Sequence, residues 1–460
     1  MNLLDTISTV YFIGIGGIGM SALARFFAAK GKAVYGYDRT ETPLTRQLAE
    51  EGMQIHYTDD VACIAPACRN ASDTLVIFTP AVPADHQERM WFVANGFRLM
   101  KRAEVLGEIS RTKRTIGIAG THGKTTISTM TAHLLTQTGT GCDAFLGGIS
   151  KNYGSNLILH ENSRYIVAEA DEFDRSFLHL RPTIALVSAT DADHLDIYGT
   201  HQAVKDAFSQ YAQCIQEGGL LIAKKGTDFV LPSHVRVYTY ALDDPSCDCY
   251  ARNITVRDGA YHFDVVTPMM TLTDVVSGVP GLLNVENTVA ALSIASFLCC
   301  DAEALKDAVH SFEGVCRRFD YHIRRPDLIY IDDYGHHPEE LRFTISSVRA
   351  LYPGRHLTGI FQPHLYTRTR DFAAEFAESL SLLDKVILLE IYPAREEPIP
   401  GVTSDIILDK ITCPDKMICP KAQLMDYLRT FTPDILLTMG AGNIDTLIQP
   451  ITRLYQEHDA

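Results

Sequence analysis

Short apolar runs separated by amphipathic stretches recur through the first hundred residues. Val10-Tyr11-Phe12-Ile13 reads as a buried strand and Met20 to Ala29 as a helix. Ala33 to Tyr37 reads as the next strand, and Leu75 to Phe78 as another that stops at Thr79-Pro80. Strands alternating with helices predict a parallel, doubly wound sheet. The charged stretch from Lys101 to Arg114 predicts a helix leading into a second unit, which opens with the strand Thr115 to Ala119. Further strands are predicted at Tyr165 to Ala168, Ile184 to Ser188 and Leu220 to Ala223. From Val235 to Val276 the texture changes to short alternating segments with an Asp258-Gly259 turn, which predicts antiparallel hairpins. A helix is predicted from Asn284 to Leu298 and a boundary near Arg317-Arg318. The remaining chain alternates again, with strands at Leu328 to Ile331, Leu357 to Phe361, Val386 to Leu389 and Ile435 to Met439. The reading is α/β, three units in a row, with ligands at the C-terminal ends of the strands.

Length agrees: 460 residues make roughly three domains at about 150 residues each. Apolar residues make up 46% and charged residues 21%, a folded rather than a disordered composition. Lys plus Arg is 41 against 56 for Asp plus Glu, a net charge of −15. That argues against nucleic acid as a partner, because phosphate backbones reward basic patches. Anionic small substrates stay open, since one Lys in a loop can collect phosphate. Eleven Cys are scattered, apart from Cys247-Asp248-Cys249 and Cys299-Cys300, without a repeated C-x-x-C spacing. A reduced, cytoplasmic chain is the simplest expectation. No basic-then-apolar leader opens the chain and no apolar run approaches about 20 residues, so neither export nor membrane insertion is expected.

Two glycine loops carry the strongest chemistry. Gly14-Ile15-Gly16-Gly17-Ile18-Gly19 fits G-x-G-x-x-G between a strand and a helix, with Asp38 about 20 residues on, where a dinucleotide fold puts its ribose acid. Missing side chains let backbone N–H groups and a helix N-terminus approach a diphosphate. The loop does not separate NAD from a nucleotide-sugar, and a Gly-rich packing turn is the bland alternative. The second loop, Gly120-Thr121-His122-Gly123-Lys124-Thr125-Thr126, ends like a triphosphate loop. Lys124 would meet the β/γ-phosphates and the Thr125 hydroxyl would ligate Mg²⁺. Ile118 stands where the generic spacing wants Gly. The apolar strand into Glu169-Ala170-Asp171-Glu172 supplies hard oxygen ligands for that ion, with Glu169 the first choice. Asp191-Ala192-Asp193-His194-Leu195-Asp196 follows another strand, and His194 is a candidate ligand for a second metal. In the third unit, Asp332-Asp333-Tyr334-Gly335-His336-His337-Pro338 and Gln362 to Arg370 follow strands. An Arg there suits a carboxylate, which its planar fork binds bidentately.

Together and in this order, GIGGIGMS (14–21), GTHGKTT (120–126), EADEFDRSF (169–177), DADHLDIY (191–198), GLLNVENT (281–288), DDYGHHP (332–338) and FQPHLYTRTR (361–370) resemble the Mur ligase family along the whole chain. The resemblance implies three domains. Residues 1–107 would bind the UDP part of the substrate, 108–315 would form a P-loop-type ATP domain with a parallel sheet, and 316–460 a Rossmann-like domain that closes on nucleotide and amino acid. It implies ATP-dependent amide formation, through an acyl phosphate, between UDP-N-acetylmuramate and L-alanine in peptidoglycan precursor synthesis. ATP and Mg²⁺ are the implied cofactors, in a monomer or homodimer.

Carried over by motif position, Gly14, Gly16, Gly17, Ile18, Gly19, Met20, Ser21 and Asp38 would hold UDP, with His56 and Thr79 at its uridine part. Gly120, Thr121, His122, Gly123, Lys124, Thr125 and Thr126 would hold the ATP phosphates. Thr125 and Glu169 would bind the first Mg²⁺ and His194 the second. Asn287 would meet the adenine, Arg318 and Asp333 the nucleotide, and His336 and Arg368 the amino acid. Leu365 stands where many members have Arg, and Leu283 where some have His. No Lys occurs in the DADHLD stretch to be carbamoylated, which agrees with the alanine-adding type. Alternative readings are a recycling ligase that attaches a murein tripeptide, an NAD-dependent oxidoreductase built on the first loop, and a nucleotide-driven switch without ligase chemistry.

Overall fold

Five short strands build the first sheet. They are β1 (Thr9–Ile13), β2 (Ala33–Tyr37), β3 (Gln54–His56), β4 (Thr74–Phe78) and β5 (Arg98–Lys101), in the order β3-β2-β1-β4-β5. Every pairing in it is parallel. β1 is buried along its whole length, as a central parallel strand covered on both faces must be. The order reverses beside β1, so the loops after β1 and β4 flank a crevice at the strand ends. The computed structural model describes residues 6–191, 195–257, 259–299, 301–394 and 396–457.

The second sheet has ten strands. They are β6 (Arg114–Ala119), β7 (Asp143–Ser150), β8 (Ser155–Ile158), β9 (Tyr165–Ala170), β10 (Ile184–Val187), β11 (Leu220–Lys224), β12 (Arg236–Ala241), β13 (Cys249–Arg257), β14 (Ala260–Val266) and β15 (Thr271–Val276). The order is β15-β14-β13-β12-β11-β10-β6-β9-β7-β8. β6 lies between β9 and β10, parallel to both, so the second glycine loop emerges centrally. The third sheet contains β16 (Asp320–Arg324), β17 (Ile329–Asp333), β18 (Leu357–Phe361), β19 (Lys385–Leu388), β20 (Asp415–Ile418) and β21 (Ile435–Met439). Its order is β16-β17-β21-β18-β19-β20, parallel except for β16 against β17.

Three expectations change. The Lys101–Arg114 stretch is not one helix: Lys101 ends β5, the helix is Arg102–Ser110, and Arg114 already starts β6. Within Val235–Val276, β12 is parallel to both neighbours instead of forming a hairpin. β13 and β14 are joined by residues 258–259 alone, a connection only antiparallel strands can make. Asp258 of the predicted turn lies outside the described residues. β3, β5, β7, β8, β16 and β20 were not anticipated. Several are short, half-exposed or charged edge strands, such as Asp-Lys-Met-Ile in β20, and carry no apolar run.

The chain divides into two compact units. One holds residues up to 252 with 264–275 and 287–311; the other holds 253–263, 276–286 and 312 onwards. Within the first unit, the Ile18–Ala29 helix joins the first two sheets through one apolar core, with the Phe26 and Phe145 rings 5.4 Å apart. Asn156 on β8 is fully buried against this helix. Its amide nitrogen donates to the Ile18 carbonyl (2.6 Å) and Ser21 Oγ (2.9 Å), while its oxygen accepts from Arg25 (2.6 Å). In the second unit, separate apolar clusters cover the two faces of the third sheet.

Candidate functional site

The first loop leaves β1 at Gly14, and the Thr79 methyl at the end of β4 lies 2.7 Å from where a Gly14 Cβ would fall. Gly16 donates its N–H to Asp38 Oδ2 at 2.7 Å, so the acid at the end of β2 closes on the loop backbone. A Cβ on Gly16 would meet Thr45 at 2.6 Å and Asp38 at 2.9 Å, which leaves no room for a side chain. Gly17 is the N-cap of the Ile18–Ala29 helix and no side chain caps it. The N–H groups of that first turn, over Ile18, Gly19 and Met20, are the donors such a loop offers an anion. Met20 and Ser21 are buried.

His56, at the end of β3, is engaged inside its own domain. Nδ1 faces the Thr58 carbonyl at 3.0 Å and Nε2 meets Tyr11 Oη at 2.7 Å. Ligand contact therefore falls to the ring's face or edge. Tyr11 Oη also donates to Glu88 Oε2 at 2.7 Å, and Glu88 is fully buried. Burial pushes Glu88 up to about 7, against the stabilising hydrogen bond from Tyr11. Burial also lowers His56 from the ordinary histidine value.

The second loop is held from below. Gly120 (φ 135°) and Gly123 (φ 81°) take backbone conformations that L side chains avoid, which turns the chain sharply into the Lys124–Gln137 helix. Thr121 donates its N–H to the Ala189 carbonyl, and its hydroxyl accepts from the Asp191 N–H at 3.2 Å. Ser188 Oγ donates to the His122 carbonyl. His122 Nε2 is 3.5 Å from Asp191 Oδ2. Lys124 Nζ donates to the Gly120 carbonyl at 2.7 Å and to Glu172 Oε1 at 2.8 Å. Burial works against its charge, but the carboxylates of Glu172, Asp171 and Glu169 outweigh it and raise the lysine above its ordinary value.

Thr125 Oγ1 lies 3.0 and 3.2 Å from the two Glu169 oxygens at the end of β9, and Thr126 is buried behind it. A Cβ on Gly147 of β7 would fall 2.1 Å from Glu169 Oε2, so the carboxylate occupies space that only glycine leaves open. Hydroxyl and carboxylate together are the hard-oxygen donors that Mg²⁺ takes from a protein while keeping its waters. Asn287 reaches the same loop, with Oδ1 3.0 Å from the ideal Gly123 Cβ position. His194 lies outside the described residues.

In the second unit, Asp333 at the end of β17 accepts the N–H groups of Phe319 and Gly335, each at 2.8 Å. Its burial pushes it up to about 6, opposed by the Arg318 charge. Arg318 and Arg317 lie over the Tyr334 ring at 4.9 and 5.2 Å. Arg317 Nε also donates to the buried Asp332 at 3.1 Å, and its Nη2 to the Gly440 carbonyl at 2.7 Å. His336 packs edge-on to Tyr334 and to His364, with centroids 5.3 and 6.1 Å away. Arg368 is half-buried on the Tyr366–Asp371 helix, which begins after Leu365.

Among the described residues, eight non-glycines have positive φ, and five sit in or beside the chemical motifs: Asp174, Arg175, Arg317, Phe319 and Leu365. Each costs about 1–3 kcal/mol, and such strain gathers at ligand sites. The structure thus brings together Gly16 with Asp38, and Lys124, Thr125, Glu169 and Asn287 around the second loop. Asp333 and Arg318 lie together in the second unit. Sequence reasoning missed Gly147, the Lys124 partner Glu172, the Asn156 clamp and the Tyr11–Glu88 pair. Glu172 was visible inside EADE; the others are single residues whose roles depend on distant strands.

A lysine–threonine glycine turn opposite a strand-end carboxylate, in a chain with a second glycine loop, defines a nucleotide-dependent α/β enzyme. Three family models cover almost all of the chain: Mur ligase family, catalytic domain, over 9–114; Mur ligase middle domain over 118–295; and Mur ligase, glutamate ligase domain, over 317–442. The chain belongs to the Mur ligase family. It is 52% identical over 453 residues to a UDP-N-acetylmuramate–L-alanine ligase of Parabacteroides distasonis, covering 98% of each chain. The crystal structure of a UDP-N-acetylmuramate–alanine ligase from Thermotoga maritima aligns with TM-score 0.83 at 26% identity, over 98% of this chain and 99% of that one. A murein peptide ligase structure from Psychrobacter arcticus aligns with TM-score 0.69 at 22% identity, over 97% and 98%, a likeness of fold alone.

Proposed function

We propose that the chain is an ATP-dependent ligase that joins L-alanine to the lactyl carboxylate of UDP-N-acetylmuramate, in the synthesis of peptidoglycan precursors. The 52% identity along 98% of the chain to a relative of that name carries the reading. Mur ligases are ATP-dependent, and the second loop has the parts that dependence requires. A carboxylate is a poor acyl donor until one of its oxygens becomes a good leaving group. Phosphorylation by ATP, consumed as a substrate, gives an acyl phosphate that the alanine amine attacks, and phosphate leaves.

The backbone of residues 120–126 and the Lys124 ammonium face the charge on the transferring phosphoryl group. Glu172 and the Gly120 carbonyl aim the Lys124 ammonium, so it needs little reorganisation when charge develops. Thr125 and Glu169 would hold the first Mg²⁺, and the Gly147 gap fits that assignment. Bound there, Mg²⁺ would neutralise phosphate oxygens as a Lewis acid. His194 is proposed for a second ion and Asn287 for the adenine.

Gly14 to Ser21 and Asp38 are proposed to hold the UDP diphosphate and ribose, with His56 and Thr79 at the uridine end. In the other unit, Arg318 and Asp333 are proposed for the nucleotide, and His336 and Arg368 for the incoming amino acid. Domain limits of 1–107, 108–315 and 316–460 are part of the same reading.

No described helix is long and apolar enough to cross a membrane. The described cysteines other than Cys316 are free. We place the reaction in the cytoplasm, carried out by a monomer or homodimer. The tripeptide and NAD alternatives are not favoured. The test is phosphate release with ATP, Mg²⁺ and UDP-N-acetylmuramate, comparing L-alanine, glycine, L-serine and the tripeptide. Strong dependence on L-alanine supports the reading, and activity only with the tripeptide overturns it.

A further inference from the structure

We propose that Glu88 is a positioning residue for the UDP end of the substrate, acting through Tyr11 on the proton carried by His56. The proposal rests on the reading that His56 meets the uridine part.

Three buried or half-buried groups share a fixed number of protons. His56 Nδ1 faces a carbonyl, the Thr58 oxygen at 3.0 Å, so Nδ1 carries a hydrogen. Tyr11 Oη sits 2.7 Å from both His56 Nε2 and Glu88 Oε2 and has one hydrogen to give. Two arrangements satisfy His56 Nε2, Tyr11 Oη and Glu88 Oε2 together. In one, neutral His56 accepts from Tyr11 and a protonated Glu88 donates to the Tyr11 oxygen. In the other, His56 is an imidazolium that donates to Tyr11, and Tyr11 donates to a Glu88 carboxylate. Both hold the same number of protons.

Removing one proton leaves a single hydroxyl hydrogen facing two acceptors. Either His56 Nε2 or Glu88 Oε2 then loses its partner, at the cost attached to a buried unsatisfied acceptor. If the ring instead moves its hydrogen to Nε2, Nδ1 meets the Thr58 carbonyl lone pair to lone pair. The second Glu88 oxygen, Oε1, lacks a hydrogen bond, with His56 Nε2 3.3 Å away, which a neutral carboxyl tolerates better than a carboxylate.

The surroundings favour retaining the proton. Asp59 accepts from the N–H groups of Gln87 and Glu88 at 3.0 and 3.2 Å, and adds negative potential beside Glu88, as does Asp60. His86, the N-cap of the same helix, faces Asp59 at 3.2 Å, and its ring packs on Tyr37 of β2 at 4.5 Å. Arg89 lies on the Glu88 helix beside His86. Cys63 and Cys68 face Tyr11 from the short helices after β3. Burial places the Glu88 proton near the neutral range, at about 7. The domain is thus assembled for its ligand with the shared proton in place, and its loss releases the His56 ring.

The experiment is the pH dependence of KM for UDP-N-acetylmuramate at saturating L-alanine, with KM for ATP as the internal control. It compares the whole enzyme with the variants Glu88→Gln, Tyr11→Phe and His56→Ala. In the parent, KM for UDP-N-acetylmuramate rises at least about threefold from about pH 6.5 to about pH 8.5, because only the protonated fraction is competent. Glu88→Gln presents a permanent donor to Tyr11, so its KM profile flattens. Tyr11→Phe cuts the link and gives a raised KM at both ends. A merely structural role would lower the melting temperature without altering the slope against pH. A parental slope retained in Glu88→Gln, with His56→Ala raising KM, overturns the proposal alone. A KM unmoved by His56→Ala at every pH overturns the uridine reading beneath it.

Discussion

The two glycine loops look alike along the chain, each a strand, a turn and a helix N-terminus, yet they are built on opposite plans. The second carries its own cation and hydroxyl, Lys124 and Thr125, and draws its partners Glu169 and Glu172 from one neighbouring strand end. The first carries no charged side chain. It is closed by Asp38 from β2, bounded by Thr79 after β4, and clamped by Asn156 from the other sheet. The loop proposed to meet the transferring phosphoryl group concentrates charge in its own sequence. The loop proposed to hold a diphosphate leaves its backbone bare, and its surroundings would supply selectivity.

Breaking the second loop should have the largest effect. Lys124→Ala removes the cation proposed for the phosphates and should lower turnover by at least about 10³-fold. It also leaves the 1% exposed Glu172 without its 2.8 Å ammonium partner, so the melting temperature should fall. Adding Glu172→Gln should restore much of that stability and none of the activity. A double variant that regains turnover would show that the lysine is structural. Next comes Gly147→Ala, whose Cβ must displace Glu169, 2.1 Å away. Turnover should drop about 10²-fold, and the Mg²⁺ concentration needed for half-maximal rate should rise.

Gly16→Ala probes the first loop and should spare the second. Its Cβ would press on Thr45 and Asp38. KM for UDP-N-acetylmuramate should rise about tenfold while KM for ATP stays put, in initial-rate measurements. An equal rise in both would erase the distinction between the loops.

The smallest effect is on stability. Glu88 has its folded value raised, so its contribution is complete below the ordinary carboxylate range. That contribution is lost as pH climbs through about 7. Glu88→Gln should therefore melt higher than the parent at about pH 8 and match it at about pH 5. The difference should be no more than about 3 kcal/mol, given about 1.4 kcal/mol per unit of pKa. Denaturant melts at both pH values would decide it.

The second loop was the more legible of the two in the sequence. GTHGKTT and EADE are local, and chemistry fixes which residue types they need. The alternating runs also marked the inner strands β1, β4, β6, β9, β18 and β21, whose buried faces demand apolar residues. Edge strands such as β5 and β20 were missed because exposure lets polar residues in. β12 was read in the wrong direction because alternation marks a half-exposed face in either sheet type. Gly147, Asn156 and Glu88 were missed for one shared reason. Each matters through a residue far along the chain, at separations that only the folded sheets bring into contact.

This chain is proposed to activate a carboxylate with ATP and give it to L-alanine. The most direct measurement starts from UDP-N-acetylmuramate labelled with ¹⁸O in its lactyl carboxylate, with mass spectrometry of both products. The expected result is an alanyl adduct, with one ¹⁸O transferred to the released phosphate for each amide formed. Phosphate released without label, or label retained in full by the sugar nucleotide with no adduct, would contradict it.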